Sequence, residues 1–333
     1  MILPPGYADQ VPTGFVPLRS DTYQGFAILR SELKSRSDAD VAQAVAYGKK
    51  VAFYPLSEAG AAGGPRSVFV DAYDRLFDAT IPYDLRFFEA LDRFVQVEPW
   101  LTRDKAMIDV LKSIGIAKGK PFAPDAPTKT VLDAAAHEAH AWIEMQYEKV
   151  FVPPFAEGAH WALPASREVA EGMPTFFASP DSYPTDGRAV TYSMAYFSAK
   201  RLGTGQFYLM TIKDKDGDRL DGAKAYRLTV PPDAPVKLYW SATAYDGATH
   251  ALIRDTRWSS RGSNTPGLVK NANGSVDVYF APSAPAGKES NWVPTDPKRG
   301  FEILFRLYGP EKPFFDKAWK LPDVEKLGKE DRR

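Results

Sequence analysis

Between Tyr226 and Pro310 the chain passes through a succession of stretches rich in Val, Ile, Tyr, Phe and Trp. They are Tyr226–Val230, Val236–Tyr245, Ala251–Asp255, Val276–Phe280 and Phe301–Tyr308. Branched and aromatic side chains of this kind suit a pleated, half-buried surface. Each stretch is bounded by Pro, Gly, Asn or Asp, the residues that turn a chain. Asn273-Gly274, just ahead of Ser275–Phe280, adds a strong hairpin-turn signal. Short strands at this spacing predict an antiparallel, jelly-roll-like β-sandwich. Gly205–Ile212 reads as a further strand, and Phe314, Phe315 and Trp319 in the tail are expected to pack back onto the sheets.

A chain of 333 residues exceeds what one compact core usually organises, so more than one domain is expected. Residues 37–150 differ in kind from the strand-rich half of the chain. Ser37 precedes an acidic first turn and then Val41 and Val45 at helical spacing. Leu85, Phe88, Leu91 and Phe94 form a stripe spaced three apart. Thr102 can cap a helix that Gly115 ends, and a longer alanine-rich helix runs from Thr128 to about Glu148. In residues 1–36 only Phe15–Leu18 and Tyr23–Leu29 read as strands, and two short strands cannot bury a sheet face alone. The expected class is therefore α+β: 1–36 an incomplete N-terminal β domain, 37–150 a helical module, 151–326 a β-sandwich domain with an aromatic tail, and 327–333 a frayed end. The loop-rich stretch 151–225 is expected to hold irregular structure and short strands.

Composition removes several functions. Lys+Arg and Asp+Glu are both 42, and a balanced chain argues against nucleic acid as main partner, which needs a basic face. With no cysteine there are no disulfides, no thiol catalysis and no cysteine-type zinc site. No apolar run approaches the ~18 residues of a membrane span. Met1–Gly6 lacks the basic and apolar regions of a signal peptide. There is no nucleophile elbow, phosphate loop or dinucleotide fingerprint, so no cofactor is predicted.

Several candidates for chemistry remain. His137, His140 and Glu144 fall at i, i+3 and i+7, roughly one helical face, and two imidazoles with a carboxylate are weak candidates for a zinc site. The plainer reading is a solvated helix face. Asp214, Asp216, Asp218 and Asp221 resemble a calcium loop, but Gly217 stands fourth and the twelfth position is Tyr, so an Asp- and Gly-rich turn is expected instead. His250 lies in a Gly-Ala-Thr-His turn and is expected to be an exposed loop histidine. The loop Gly287–Trp292 gathers Lys288, Glu289, Asn291 and Trp292, with Arg254, Asn264, Asn271, Asp277 and Arg306 on neighbouring elements. A tryptophan beside amides and charges suits a sugar ring. Trp292, Lys288, Asn291, Arg254, Asn264 and Arg306 are thus candidate ligand contacts, and Glu289 with Asp277 a candidate acid–base pair. The architectural alternative has Trp292 plugging the core, Lys288 and Glu289 forming an internal ion pair, and Asn291 capping a turn.

Leu3-Pro4-Pro5-Gly6-Tyr7, Ile114–Phe122, Tyr239–Asp246, Gly267–Ser275, Ala286–Trp292 and Arg306–Pro310 together resemble the tandem bacterial family of domains of unknown function numbered 1254 and 1214. The resemblance implies two β-sandwich domains with a helical insertion and no established activity. It also implies export to the periplasm. Members usually carry about a hundred further residues ahead of the Leu-Pro-Pro-Gly turn, so either a truncated member or a misplaced start codon is expected, the former with an unpaired N-terminal sheet edge prone to pair with a second copy. Three functions are expected as rivals: binding of a carbohydrate or polar small molecule, polysaccharide hydrolysis or lysis by Glu289 and Asp277, and partner docking on the exposed face of 128–148.

Overall fold

The computed structural model describes residues 1–29, 31, 33, 37–60, 67–72, 74–75, 78, 80–172, 184–195 and 205–328. The expected frayed end therefore lies mostly outside the described residues. The chain divides into two compact units, Met1–Ala79 and Thr80–Arg333. The boundary falls inside the stretch 37–150 that the sequence suggests is one helical module.

In the first unit, β1 (Ile2–Leu3) pairs in parallel with β2 (Leu18–Arg19). Tyr23–Leu29, expected as a strand, is not one. Helix α1 (Asp38–Gly48) starts where expected, because the Ser37 side chain accepts from the Asp40 amide. Leu3 is the only buried hydrophobic among the described residues of this unit.

In the second unit, α2 (Leu85–Val97) is capped by Asp84. Its buried residue is Val95, whereas Phe94 is half exposed. The inward stripe thus steps by three and then four from Phe88 through Leu91 to Val95, as a 3.6-residue period requires. After α3 (Lys105–Val110) a tight turn ends at Gly115, whose φ of +88 favours glycine. Helix α4 (Ala126–Tyr147) begins two residues before Thr128, because the Asp125 carboxylate accepts from the Thr128 amide. Two further helices, α5 (Arg167–Gly172) and α6 (Thr185–Ala195), stand where irregular chain and strands were expected.

The strands form two sheets of four. One has the order β10 (Glu325–Lys326), β4 (Tyr226–Val230), β7 (Val276–Ala281), β8 (Trp292–Pro294). The other has the order β3 (Gln206–Thr211), β9 (Phe301–Pro310), β5 (Val236–Asp246), β6 (Ser260–Gly262). Pairing is antiparallel except between β7 and β8, which run parallel, a departure from the all-antiparallel expectation. Ala251–Asp255 makes a single bridge, Tyr245 to Leu252, rather than a strand.

Alternate residues of each strand point to opposite faces. Leu228 and Val230, Val278 and Phe280, Ala242 and Ala244, and Ile303, Phe305 and Leu307 enter one shared core with Trp161 and Phe314. The tail thus packs back through Phe314, although Phe315 remains exposed. The opposite face of β9 and β3 carries Leu304 and Met210, which pack with Tyr147 of α4 and with Val190 and Met194 of α6.

Candidate functional site

The loop Gly287–Trp292 is committed to architecture. Asn291 is buried; its amide nitrogen donates to the carbonyls of Val269 and Asp277, and its carbonyl accepts from the Val269 amide, all at 2.8 Å. Trp292 Nε1 donates to the Ala281 carbonyl at 2.8 Å. The Trp258 indole donates to the Trp292 carbonyl, and the Arg261 guanidinium lies 3.9 Å from the Trp258 ring centre while Nε donates to the Ser290 carbonyl. Lys288 faces the Tyr279 ring at 5.8 Å and forms no ion pair with Glu289, contrary to the architectural expectation for that pair. Arg254 and Asn264 are exposed.

The candidate carboxylates have separate partners. Asp277 accepts from the Thr229 hydroxyl at 2.6 Å, across the β4–β7 ladder. Glu289 is exposed and accepts from the Gly287 amide within its own turn. Arg306 is placed elsewhere altogether, on the β9 face away from the shared core. The six candidate ligand contacts therefore do not form one site.

The histidine pattern of α4 also divides. His137 Nδ1 bonds the Asp133 carbonyl of its own helix, so it does not converge with the other two. His140 stacks on Tyr83 with ring centres 3.7 Å apart, and its Nε2 stands 3.5 Å from Glu144. Among the described residues no group of three or more His, Asp or Glu is arranged to hold a metal ion. In the aspartate-rich turn, Asp214 is fully buried, accepts from the amides of Asp216 and Asp218, and has the Lys326 ammonium 3.8 Å away.

What the structure does assemble is a chain of ionisable groups on the outer face of β9 and β5. His250 is buried, with φ +54, contrary to the expected exposed histidine. The turn that presents it is built by Asp246. Its carboxylate accepts from the amides of Ala248 and Thr249 at 2.9 Å and pairs with Arg299 at 3.0 Å, while its carbonyl accepts from the His250 amide. Gly247 lies close beside the next strand, since a Cβ there would come within 3.1 Å of the Gly300 backbone.

From that turn, His250 Nδ1 reaches Glu302 and Nε2 reaches Glu144, each at 2.9 Å. Both ring nitrogens face carboxylates, so the ring is an imidazolium. Burial works against that charge, but the two carboxylates outweigh it and push His250 up to about 9. Glu302 is buried on β9 and also accepts from the Tyr147 hydroxyl at 2.5 Å; burial raises its carboxyl above the usual range. Burial also opposes ionisation of Glu144, yet its contacts with His250 lower it on balance. Tyr147 stacks on the imidazole at 4.3 Å, and burial with the Glu302 charge holds its phenol well above the ordinary value.

Two residues further along the same face stands Leu304, then Arg306, about 13 Å from Glu302 at the usual strand rise. Arg306 Nη2 donates to the Tyr245 hydroxyl, and the guanidinium lies 5.6 Å from the Tyr208 ring centre and 5.8 Å from that of Tyr245. Tyr208 and Ser241 are its neighbours across the ladders, and Tyr239 stacks on Tyr308 at 4.2 Å one register step on. Tyr208, Tyr239, Ser241, Tyr245, Arg306 and Tyr308 are all half-buried. Arg306 Nε and the hydroxyl of Thr243, between these rows, are buried without a hydrogen-bond partner.

Of these groups the sequence singled out Arg306 as a ligand contact beside the Gly287–Trp292 loop, Glu144 as a weak metal candidate and His250 as an exposed loop histidine. The available signal was the alternation in β9: Glu302, Leu304, Arg306 and Tyr308 share one face, and two charges inside an otherwise apolar strand mark that face as more than packing.

Fold and site thus define an α+β protein in which α4 and α6 pack on the outer face of one of two four-stranded sheets. Residues 205–312 match the family described as "Protein of unknown function (DUF1214)". No curated protein matches the chain. Among solved structures, the VPA0106 protein of Vibrio parahaemolyticus is similar over 98% of this chain and 75% of its own, with 17% identity and a TM-score of 0.50, a likeness of fold. A putative uncharacterized protein from Burkholderia cenocepacia is similar over 69% of this chain and 50% of its own, with 16% identity and a TM-score of 0.29.

Proposed function

We propose that the region from Thr80 onward is a binding domain for a polar small molecule or carbohydrate, and that its site is the outer face of β3, β9 and β5 around Arg306. The carrying observation is the pair of orphaned polar atoms there, Arg306 Nε and Thr243 Oγ1, amid half-buried tyrosines. Buried polar groups without partners are costly, so a folded chain keeps few of them away from functional sites. Tyrosines offer a ligand both an apolar ring and a hydroxyl. The shared core of the two four-stranded sheets supports reading this region as a sandwich that holds the face rigid.

The reading favours Arg306 over the Gly287–Trp292 loop, whose amide and indole groups are already bonded. It also gives no support to a Glu289–Asp277 acid–base pair, since those carboxylates engage different elements. Thermal-shift screening against sugars and polar metabolites tests it. A stabilising ligand is expected to lose its effect in Tyr208→Ala and keep it in Trp292→Phe. The opposite pattern would return the site to the loop.

A further inference from the structure

We infer that the ligand of this face carries an anionic group, a carboxylate or sulfate, and that Arg306 is its anchor. The inference rests on the binding reading above and narrows it. Arg306 is half-buried on β9, yet among the described residues no carboxylate pairs with it. Its contacts are the Tyr245 hydroxyl and two tyrosine faces. A neutral phenol and two rings compensate a guanidinium less well than an anion does, and partial burial makes the shortfall matter more.

The neighbouring carboxylates are already engaged. Glu302, on the same face of β9, has its oxygens taken by His250 and Tyr147. Glu144 is also taken by His250. The acidic groups of this face are thus spent on the imidazolium, and the arginine is left in surplus. Two other half-buried arginines of the unit have carboxylate partners. Arg227, whose Nε is likewise orphaned, pairs with Glu325 at 2.6 Å, and Arg188 pairs with Asp104 at 3.7 Å. Arg306 differs in having no such carboxylate among the described residues. A guanidinium favours carboxylate and sulfate through its planar fork, and the flanking tyrosines favour a flat or ring-shaped body beside the anion.

Glucuronate and glucose differ in one carboxylate, which makes them a matched probe pair, and inorganic sulfate tests the anion without the ring. Calorimetric titration of the full chain is expected to show glucuronate binding at least about tenfold tighter than glucose, a difference of about 1.4 kcal/mol. Sulfate is expected to compete with glucuronate. Arg306→Met should abolish the preference, and Arg306→Lys, which keeps the charge but loses the fork, should reduce it while circular dichroism confirms the fold. Equal binding of both sugars, unchanged in Arg306→Met, would overturn the anion anchor and leave the polar-ligand reading standing. If neither the probes nor the screened ligands respond to Tyr208→Ala or to the Arg306 variants, both readings fall.

Discussion

At His250 an imidazole is almost fully enclosed, and two carboxylates hold it charged. Removing one member of a buried ion pair leaves the other uncompensated. His250→Ala is therefore expected to cost about 3–5 kcal/mol in urea unfolding. The same contact sets a pH dependence. Its folded value of about 9 lies above the unfolded 6.5, so the proton stabilises the fold fully below pH 6.5. That stabilisation is lost as pH rises through 9, and Glu302, raised by burial, acts in the same direction. Unfolding curves between pH 6 and 10 should show a larger alkaline loss in the native chain than in His250→Ala, where only the Glu302 contribution remains. In the Gly287–Trp292 loop, Asn291→Ala is expected to cost about 1–3 kcal/mol by stranding backbone groups, whereas Glu289→Gln at the exposed turn should change stability by less than about 0.5 kcal/mol.

Among the elements, α4 matters most because its last turns bring Glu144 and Tyr147 to the sheet. Tyr147→Phe removes a donor to a buried carboxylate and should destabilise by about 1–3 kcal/mol, with faster amide exchange near the end of α4. Elements were legible where local chemistry decided them: the Ser37 cap, the Gly115 stop, and the strands at 206–211, 226–230, 276–281 and 301–310. They were misread where packing decided. Val95 rather than Phe94 faces inward, Ala251–Asp255 makes a single bridge instead of a strand, and α5 and α6 carry too little periodicity to announce themselves. The site was less legible still. Glu144, His250 and Glu302 lie far apart in the chain, and only the β9–β5 pairing and the docking of α4 bring them together. Lys288, Glu289, Asn291 and Trp292 looked functional because they adjoin in sequence, but the Asn291 and Trp292 side chains close backbone gaps.

At the scale of the molecule, the two units differ in how much they bury. Met1–Ala79 exposes Phe15, Val16, Leu18, Phe26, Ile28 and Leu29 and encloses Leu3 alone among its described hydrophobics. Limited proteolysis should cut there first and leave Thr80–Arg333 intact, a pattern readable by mass spectrometry. The exposed apolar surface around β1 and β2 also supports self-association, so sedimentation velocity should show concentration-dependent oligomers. A monodisperse monomer with protected amides across residues 15–29 would contradict that. The outer face of the second sheet can be probed directly in solution. A single nitrogen–proton spectrum resolves arginine Nε and tryptophan indole signals of the native chain together, and glucuronate can be titrated into it. The Arg306 Nε signal is expected to shift with saturation while the Trp258 and Trp292 indoles stay in place. Movement of those indoles with Arg306 unchanged would contradict it.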